Sequence, residues 1–222
     1  LILEGLFGAT KKVTSTKDLI KKKTLSSIAI RCLILKYNKQ ECKEVSEMSY
    51  LEEIDFLVSH PQRNKYICNL VKGLTGNTLV LFQFIEKHGN ILHSILEEII
   101  DSSRKIFFVY GGTDADSREK VRELVEKSND SVILASYGTF STGINIKKID
   151  NVVFASPSKS RIRNLQSIGR GLRKTEGKDS MRLFDISDDL QCDNFTLRHL
   201  KERINTYNEE NFPYELKQFD LK

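Results

Sequence analysis

Only three prolines interrupt the 222 residues, and no apolar run approaches the ~20 residues that a helical bilayer span requires. The scarcity of proline, with 39% hydrophobic and 29% charged residues and a mean hydropathy of −0.36, excludes a collagen-like, low-complexity or wholly disordered chain. The missing apolar run excludes a membrane-spanning helix. Cysteine is sparse as well. Cys32, Cys42, Cys68 and Cys192 form no C-x-x-C pair, and His60, His88, His93 and His199 form no H-E-x-x-H, so no metal site is expected. The thiols read as structural, and the lack of a disulfide framework favours a reducing cytoplasm. The chain opens on LILEGLFG without an initiator Met. That stretch is too short and interrupted for a signal peptide, and the chain reads as a piece of something larger.

What is present is concentrated positive charge. The 35 Lys and Arg exceed the 30 Asp and Glu by five, yet Lys159, Arg161, Arg163, Arg170, Arg173 and Lys174 alone supply six cations with no acid among them. A second group, Lys11, Lys12, Lys17, Lys21, Lys22 and Lys23, is offset only by Asp18. Such stripes suit polyanions, whether phosphodiester backbones or nucleotide phosphates. For the Lys11–Lys23 group, a solvated linker serves equally well.

Periodicity gives an α/β order. A strand is expected within Leu25–Tyr37, and helices over residues 48–74 with a second start at Pro61. Strands then fall at Thr78–Phe84, Lys105–Tyr110, Ser131–Ser136, Asn151–Ala155 and Met181–Ile186. Helices alternate with them at His88–Ser102, Asp116–Lys127, Ser160–Leu172 and Leu190–Asn208. Short, continuous apolar strands are those of a buried parallel sheet with helices on both faces, and functional residues should follow the strands. Three parts are expected: a tail and linker over 1–24, an α/β domain over 25–190, and a C-terminal helix with a peripheral arm over 191–222.

A nucleotide-binding loop is missing. The nearest string, Gly171 to Asp179, has five residues between its glycines where a phosphate-binding loop has four, and Asp where the magnesium-binding hydroxyl belongs. The stretch Leu183–Asp189 imitates a strand ending in a magnesium carboxylate, but no Asp-Glu pair occurs in the chain. Asp188 and Asp189 read as capping and first-turn acids of the following helix.

The informative constellation is Gln166-Ser-Ile-Gly169-Arg170-Gly-Leu-Arg173. It sets two guanidinium groups three residues apart on one expected helical face, with Gly169 permitting close backbone approach. Upstream, Val132–Ser136 ends a strand in a small hydroxyl residue, and Thr142-Gly143-Ile-Asn145 follows. In this order the sequence resembles the second RecA-like domain of superfamily 2 helicases. Ser136–Ile146 resembles their motif V, Gln166–Arg173 their motif VI, and Leu79–Phe84 their motif IV. Val109-Tyr110-Gly111-Gly112 resembles the next strand-end glycine element. Within the superfamily the phrasing is most similar to phage recombination helicases of the UvsW type.

The resemblance implies that Arg170 and Arg173 reach the γ-phosphate of ATP held, with Mg2+, by a first RecA-like domain in cis, whose motifs I to III lie in sequence not present here. A planar, permanently charged guanidinium suits that task better than an ammonium. Gln166 would orient the pair, and Thr142, Gly143 and Asn145 would approach the nucleotide. Ser136 and the backbone near Phe84, Gly111, Gly112 and Thr113 would hold a DNA strand by its phosphates, without reading bases. RNA is the alternative strand. Arg161 and Arg163 either contact that strand or open a solvated helix. Phe82 is expected to pack in the core, while Phe84 either packs or stacks on a base. The implied activity is an ATP-dependent DNA helicase or branch-migration translocase in a bacterial or phage-infected cytoplasm, with the fragment alone inactive. An RNA helicase, a restriction-enzyme motor subunit and an idle nucleic-acid-binding module are the alternatives.

Overall fold

The computed structural model describes residues 26–142, 146–156, 167–169, 172 and 180–221. Seven strands form one sheet: β1 (Ser27–Lys36), β2 (Thr78–Phe82), β3 (Lys105–Val109), β4 (Ser131–Ser136), β5 (Asn151–Phe154), β6 (Ser180–Asp189) and β7 (Tyr214–Asp220). Their spatial order is β3-β4-β2-β5-β6-β1-β7, and every neighbouring pair is parallel. Parallel neighbours cannot be joined by a hairpin, so the chain crosses a face of the sheet between them.

The crossings are helical. Helices α1 (Lys39–Val45), α2 (Tyr50–Ser59), α3 (Pro61–Gly73) and α4 (Asn90–Ile99) cover one face, with a π-helical turn at Ile85–Gly89 leading into α4. Helices α5 (Ala115–Lys127), α6 (Tyr137–Thr142) and α7 (Phe195–Glu209) cover the other. The two cores interleave at every strand. In β2, Leu79 and Leu81 join the α5–α7 core while Val80 and Phe82 join the α1–α4 core; in β4, Ile133 and Ala135 divide from Val132 and Leu134 in the same way. Alternation of side chains across a pleated strand produces this division. Both faces are covered, so β2 and β4 are buried at every position, each large apolar side chain contributing roughly 1.5–3 kcal/mol. Among the described residues no helix is long and apolar enough to cross a membrane.

Several expectations need correcting. Residues Lys39–Val45 form a helix that periodicity did not reveal, started by a capping box in which Asn38 and Glu41 exchange backbone N–H bonds. The strand expected to end at Ile186 runs to Asp189, and the helix expected from Leu190 begins at Phe195. The segment read as a peripheral arm supplies β7, which pairs with β1 at the edge of the sheet. Asp188 and Asp189 cap no helix; both remain in β6, and Asn194 stands at the N-cap of α7.

Asp188 is instead fully buried against Arg63 of α3. Arg63 Nε donates to Oδ1 at 2.8 Å and Nη2 to Oδ2 at 3.1 Å. The Tyr37 hydroxyl donates to Oδ1 at 2.8 Å. Three residues earlier, and so on the opposite face, Asp185 takes Arg203 of α7 in the same forked manner, with both N–O distances at 2.8 Å. It also accepts the Tyr207 hydroxyl at 2.8 Å. Burial, with the adjacent carboxylate second, holds Tyr37 and Tyr207 well above the usual phenol range, so both stay donors. Two buried charge pairs thus clamp the carboxyl end of β6 to helices on either side.

Candidate nucleic-acid interface

Strands β3, β4 and β2 are adjacent and parallel, so their carboxyl ends open on one side. The turns that follow them enclose an open cleft of about 560 Å³. Gln83 and Ile85 line it from β2, Gly111 from β3, and Ser136, Gly138 and Thr139 from β4. Arg118 of α5 lines it as well, and among the described residues no lining residue is acidic.

Local chemistry fixes each element. Ser136 ends β4 and is 8% exposed. Its Oγ accepts the Thr139 N–H at 3.3 Å and pairs with Thr139 Oγ1 at 2.8 Å, closing the first turn of α6 in the manner of an N-cap. After β3, the Thr113 hydroxyl accepts the Tyr110 N–H at 3.1 Å while the Thr113 N–H donates to the Tyr110 carbonyl at 2.9 Å. This reciprocal pair folds Gly111 outward, where a Cβ would meet nothing within 4 Å. A Cβ at Gly112 would lie 2.9 Å from the Tyr110 ring, so its backbone is packed against that ring. After β2 the chain enters the π-helical turn, and a Cβ on Gly89 would come within 2.6 Å of the Phe82 ring. Phe82 is wholly buried, as expected. Phe84 is half-buried at the head of that turn.

Arg118 was not anticipated, since its helix, ADSREKVRELVEK, reads as an ordinary charged surface helix. Its Nε donates to the Thr113 carbonyl at 2.8 Å and Nη2 to the Gly111 carbonyl at 3.3 Å. Among the described residues no carboxylate forms a salt bridge with it. The guanidinium is oriented by neutral acceptors, which do not cancel its charge. At the amino ends of the strands the chemistry is mixed: a cleft of about 390 Å³ sets Asp150 beside Lys148 and Arg182.

Of the sequence-derived candidates, Ser136 and Gly111 meet at the cleft, with Gly112 and Thr113 in the adjoining turn. The backbone of Thr142 ends α6; its side chain, and Gly143, Asn145, Arg161, Arg163, Gln166, Arg170 and Arg173, lie outside the described residues. Gly169 is helical and exposed, with nothing within 4 Å of a Cβ placed there. Around it, Ile168 and Leu172 are buried and joined by a helical N–H to carbonyl bond of 2.9 Å.

The expectation that the cysteines are structural agrees with burial of Cys32, Cys42 and Cys68, with Cys192 the exposed one; all are free thiols. Burial pushes the Cys68 thiol up to about 12. Among the described residues no group of three His, Cys, Asp or Glu is placed to hold a metal ion. Asp185 and Asp188 are already occupied by Arg203 and Arg63.

An all-parallel sheet sandwiched by helices, with a cleft beyond its strand ends, is the architecture of a RecA-like domain. The chain belongs to the family of helicase conserved C-terminal domains, whose model matches residues 62–175. It is 30% identical to the ATP-dependent DNA helicase uvsW of Enterobacteria phage T4 over 98% of this chain and 46% of that protein. The crystal structure of T4 UvsW superposes with a TM-score of 0.76, covering 90% of this chain and 43% of that one. A putative ATP-dependent helicase, IRC3 of Saccharomyces cerevisiae, is 24% identical over 90% of this chain and 28% of its own length. The Type ISP restriction-modification enzyme LlaBIII shares the fold, with a TM-score of 0.66 at 17% identity over 98% of this chain and 17% of that enzyme. The chain thus spans less than half the length of these relatives.

Proposed function

We propose that this domain is the second motor domain of an ATP-dependent DNA helicase or branch-migration translocase. The observation that carries this reading is the cleft at the carboxyl ends of β2, β3 and β4. There Arg118, the Ser136 hydroxyl and outward backbone at Gly111 face a space without acidic lining among the described residues. Such groups hold phosphates and position a strand while leaving its bases unread, so binding is salt-dependent and poor in sequence preference. By the family resemblance, Arg161 and Arg163 would add phosphate contacts to the same strand, and Phe84, at the head of the turn after β2, would offer a ring for a base to stack on.

ATP is the substrate of the second half of the reading. Arg170 and Arg173 reach across to its γ-phosphate on a first RecA-like domain in cis, which also holds Mg2+. Gln166 orients the two arginines, Gly169 allows close approach, and Thr142, Gly143 and Asn145 meet the nucleotide from this side. Closure of the two domains assembles the site and hydrolysis reopens it, which advances the strand. The cellular setting is the cytoplasm of a bacterium or phage-infected host, where ATP and branched DNA are both present.

The test is Arg173→Ala in the full-length protein. Hydrolysis stimulated by branched DNA is expected to fall by ~10³–10⁵, with nucleotide affinity less affected. Unchanged turnover would mean that the domain only binds nucleic acid. Stimulation by RNA in preference to branched or single-stranded DNA would move the substrate to RNA. The 222-residue chain by itself is expected to hydrolyse no ATP, because it contains no G-x-x-x-x-G-K-[ST] loop. Robust hydrolysis by it would contradict the division of labour.

A further inference from the structure

We propose that Ser156, acting with His88, is a positioning residue for the nucleic-acid cleft: one buried residue ties the two walls of the cleft together. This rests on the nucleic-acid reading above and deepens it. Ser156 is 1% exposed and lies two residues beyond the end of β5, outside the cleft lining. Its Oγ accepts the backbone N–H of Gln83 at 3.0 Å and meets His88 Nδ1 at 2.8 Å. Its carbonyl accepts the Tyr137 hydroxyl at 3.1 Å. Gln83 belongs to the wall after β2, whereas Tyr137 stands between Ser136 and Gly138 of the wall after β4. Two stretches separated by more than fifty positions in the sequence therefore send hydrogen bonds to one residue.

Ser156 Oγ has a second lone pair and its own proton beside the Gln83 N–H it accepts, so it pairs with His88 Nδ1 in either neutral tautomer of the imidazole. Burial, with the nearby Arg63 charge second, disfavours the imidazolium, so the ring is neutral in this contact. His88 is itself fully buried in the π-helical turn of the first wall, so the Ser156–His88 bond holds the turn as well as Gln83. The Ser156 N–H donates to the Leu81 carbonyl at 3.3 Å, and the preceding carbonyl, of Ala155, accepts Arg63 Nη2 at 3.0 Å. The residue is thus anchored to β2 and α3 before either wall reaches it. Neither Ser156 nor His88 touches the cleft; both set the spacing between groups that do.

The experiment uses the full-length protein and a fluorescent single-stranded oligonucleotide, read by anisotropy and by DNA-stimulated hydrolysis. Ser156→Ala is expected to raise the DNA Kd and the half-saturating DNA concentration in parallel, roughly 2- to 30-fold, and to do so more than it lowers kcat. His88→Ala should reproduce the effect. His88→Asn, whose amide occupies the place of Nδ1, should restore near wild-type affinity. A purely structural contribution would lower the thermal midpoint of these variants without changing the DNA affinity of the folded protein. Wild-type affinity in both Ser156→Ala and His88→Ala would overturn the proposal. If Ser156→Ala does not fold, equal DNA affinities of His88→Ala and His88→Asn overturn it instead. A wild-type protein that binds neither DNA nor RNA would sink the nucleic-acid reading itself, a distinct failure.

Discussion

The carboxyl edge of the sheet holds arginines in two chemical conditions. At β6, Arg63 and Arg203 are fully buried and each is met by the carboxylate of one aspartate, with a tyrosine hydroxyl on the same carboxylate. At β3, Arg118 is partly exposed and, among the described residues, is held by the carbonyls of Gly111 and Thr113. In the first condition both the charge and the fork of the guanidinium are used within the chain, and the residue becomes a structural clamp. In the second only the orientation is satisfied, so the charge faces outward. An arginine's partner therefore says more about its role than its residue type does, because neutral acceptors orient a cation without cancelling it.

The sharpest way to break this comparison is to remove one partner of a clamp. Arg63→Ala should destabilise the fold by about 3–5 kcal/mol, because Asp188 is left as a buried, uncompensated charge; denaturant titration measures it. Arg63→Lys should fare little better, since an ammonium cannot fork onto both oxygens. Replacing Arg63 and Asp188 together by apolar residues of similar volume should recover most of the loss. A single variant that is milder than the double would reverse the assignment.

A smaller effect is expected on acidification. His88 lies beside the Arg63 clamp, and its pKa is held well below the usual 6.5, first by burial and then by that guanidinium. The unfolded chain takes up a proton near pH 6.5 that the folded chain refuses. Stability from this group is present above that pH and is lost below it, by about 1.4 kcal/mol per pH unit until the folded pKa is reached. Unfolding midpoints of wild type and His88→Asn, compared between pH 7.5 and 5.5 (roughly one unit either side of the free imidazole), should diverge only on the acid side. Parallel curves would contradict it.

The smallest effect belongs to the open arginine. Arg118→Ala should leave stability within about 0.5 kcal/mol of wild type. It should weaken binding uniformly across DNA sequences and lower the salt slope by about 0.7–0.9 of a unit. Arg118→Lys should keep the slope. Measuring affinity against salt for the three proteins separates a phosphate contact from a packing role.

How far the sequence reveals this molecule depends on what each stretch is buried by. Ser131–Ser136 is legible to the residue, because a strand covered on both faces must be continuously apolar and its flanks are polar. The last residues of β6 are not, because Ser187–Asp189 is polar yet lies in the strand, with Ser187 and Asp188 buried. That burial is made tolerable by arginines that no local pattern connects to it. Asp188 looked like a helix cap for want of knowing that Arg63 lies against it across 125 positions. β7 escaped for the opposite reason: its side chains are mostly exposed, so it carries no apolar signature. At the cleft, Ser136 and the glycine turn were legible through motif order, whereas Arg118 was hidden in a helix whose many charges look alike.

Among the described residues β1 pairs only with β6 and β7, and with no strand nearer to it in the sequence. During synthesis those two partners reach it only after the chain from Ser180 onward has emerged. A ten-residue strand with a run of four buried positions, Cys32–Leu35, is then an open template for other nascent chains. Delivery of β6 and β7 on either side of it, late in the synthesis of this domain, is what makes the sheet safe.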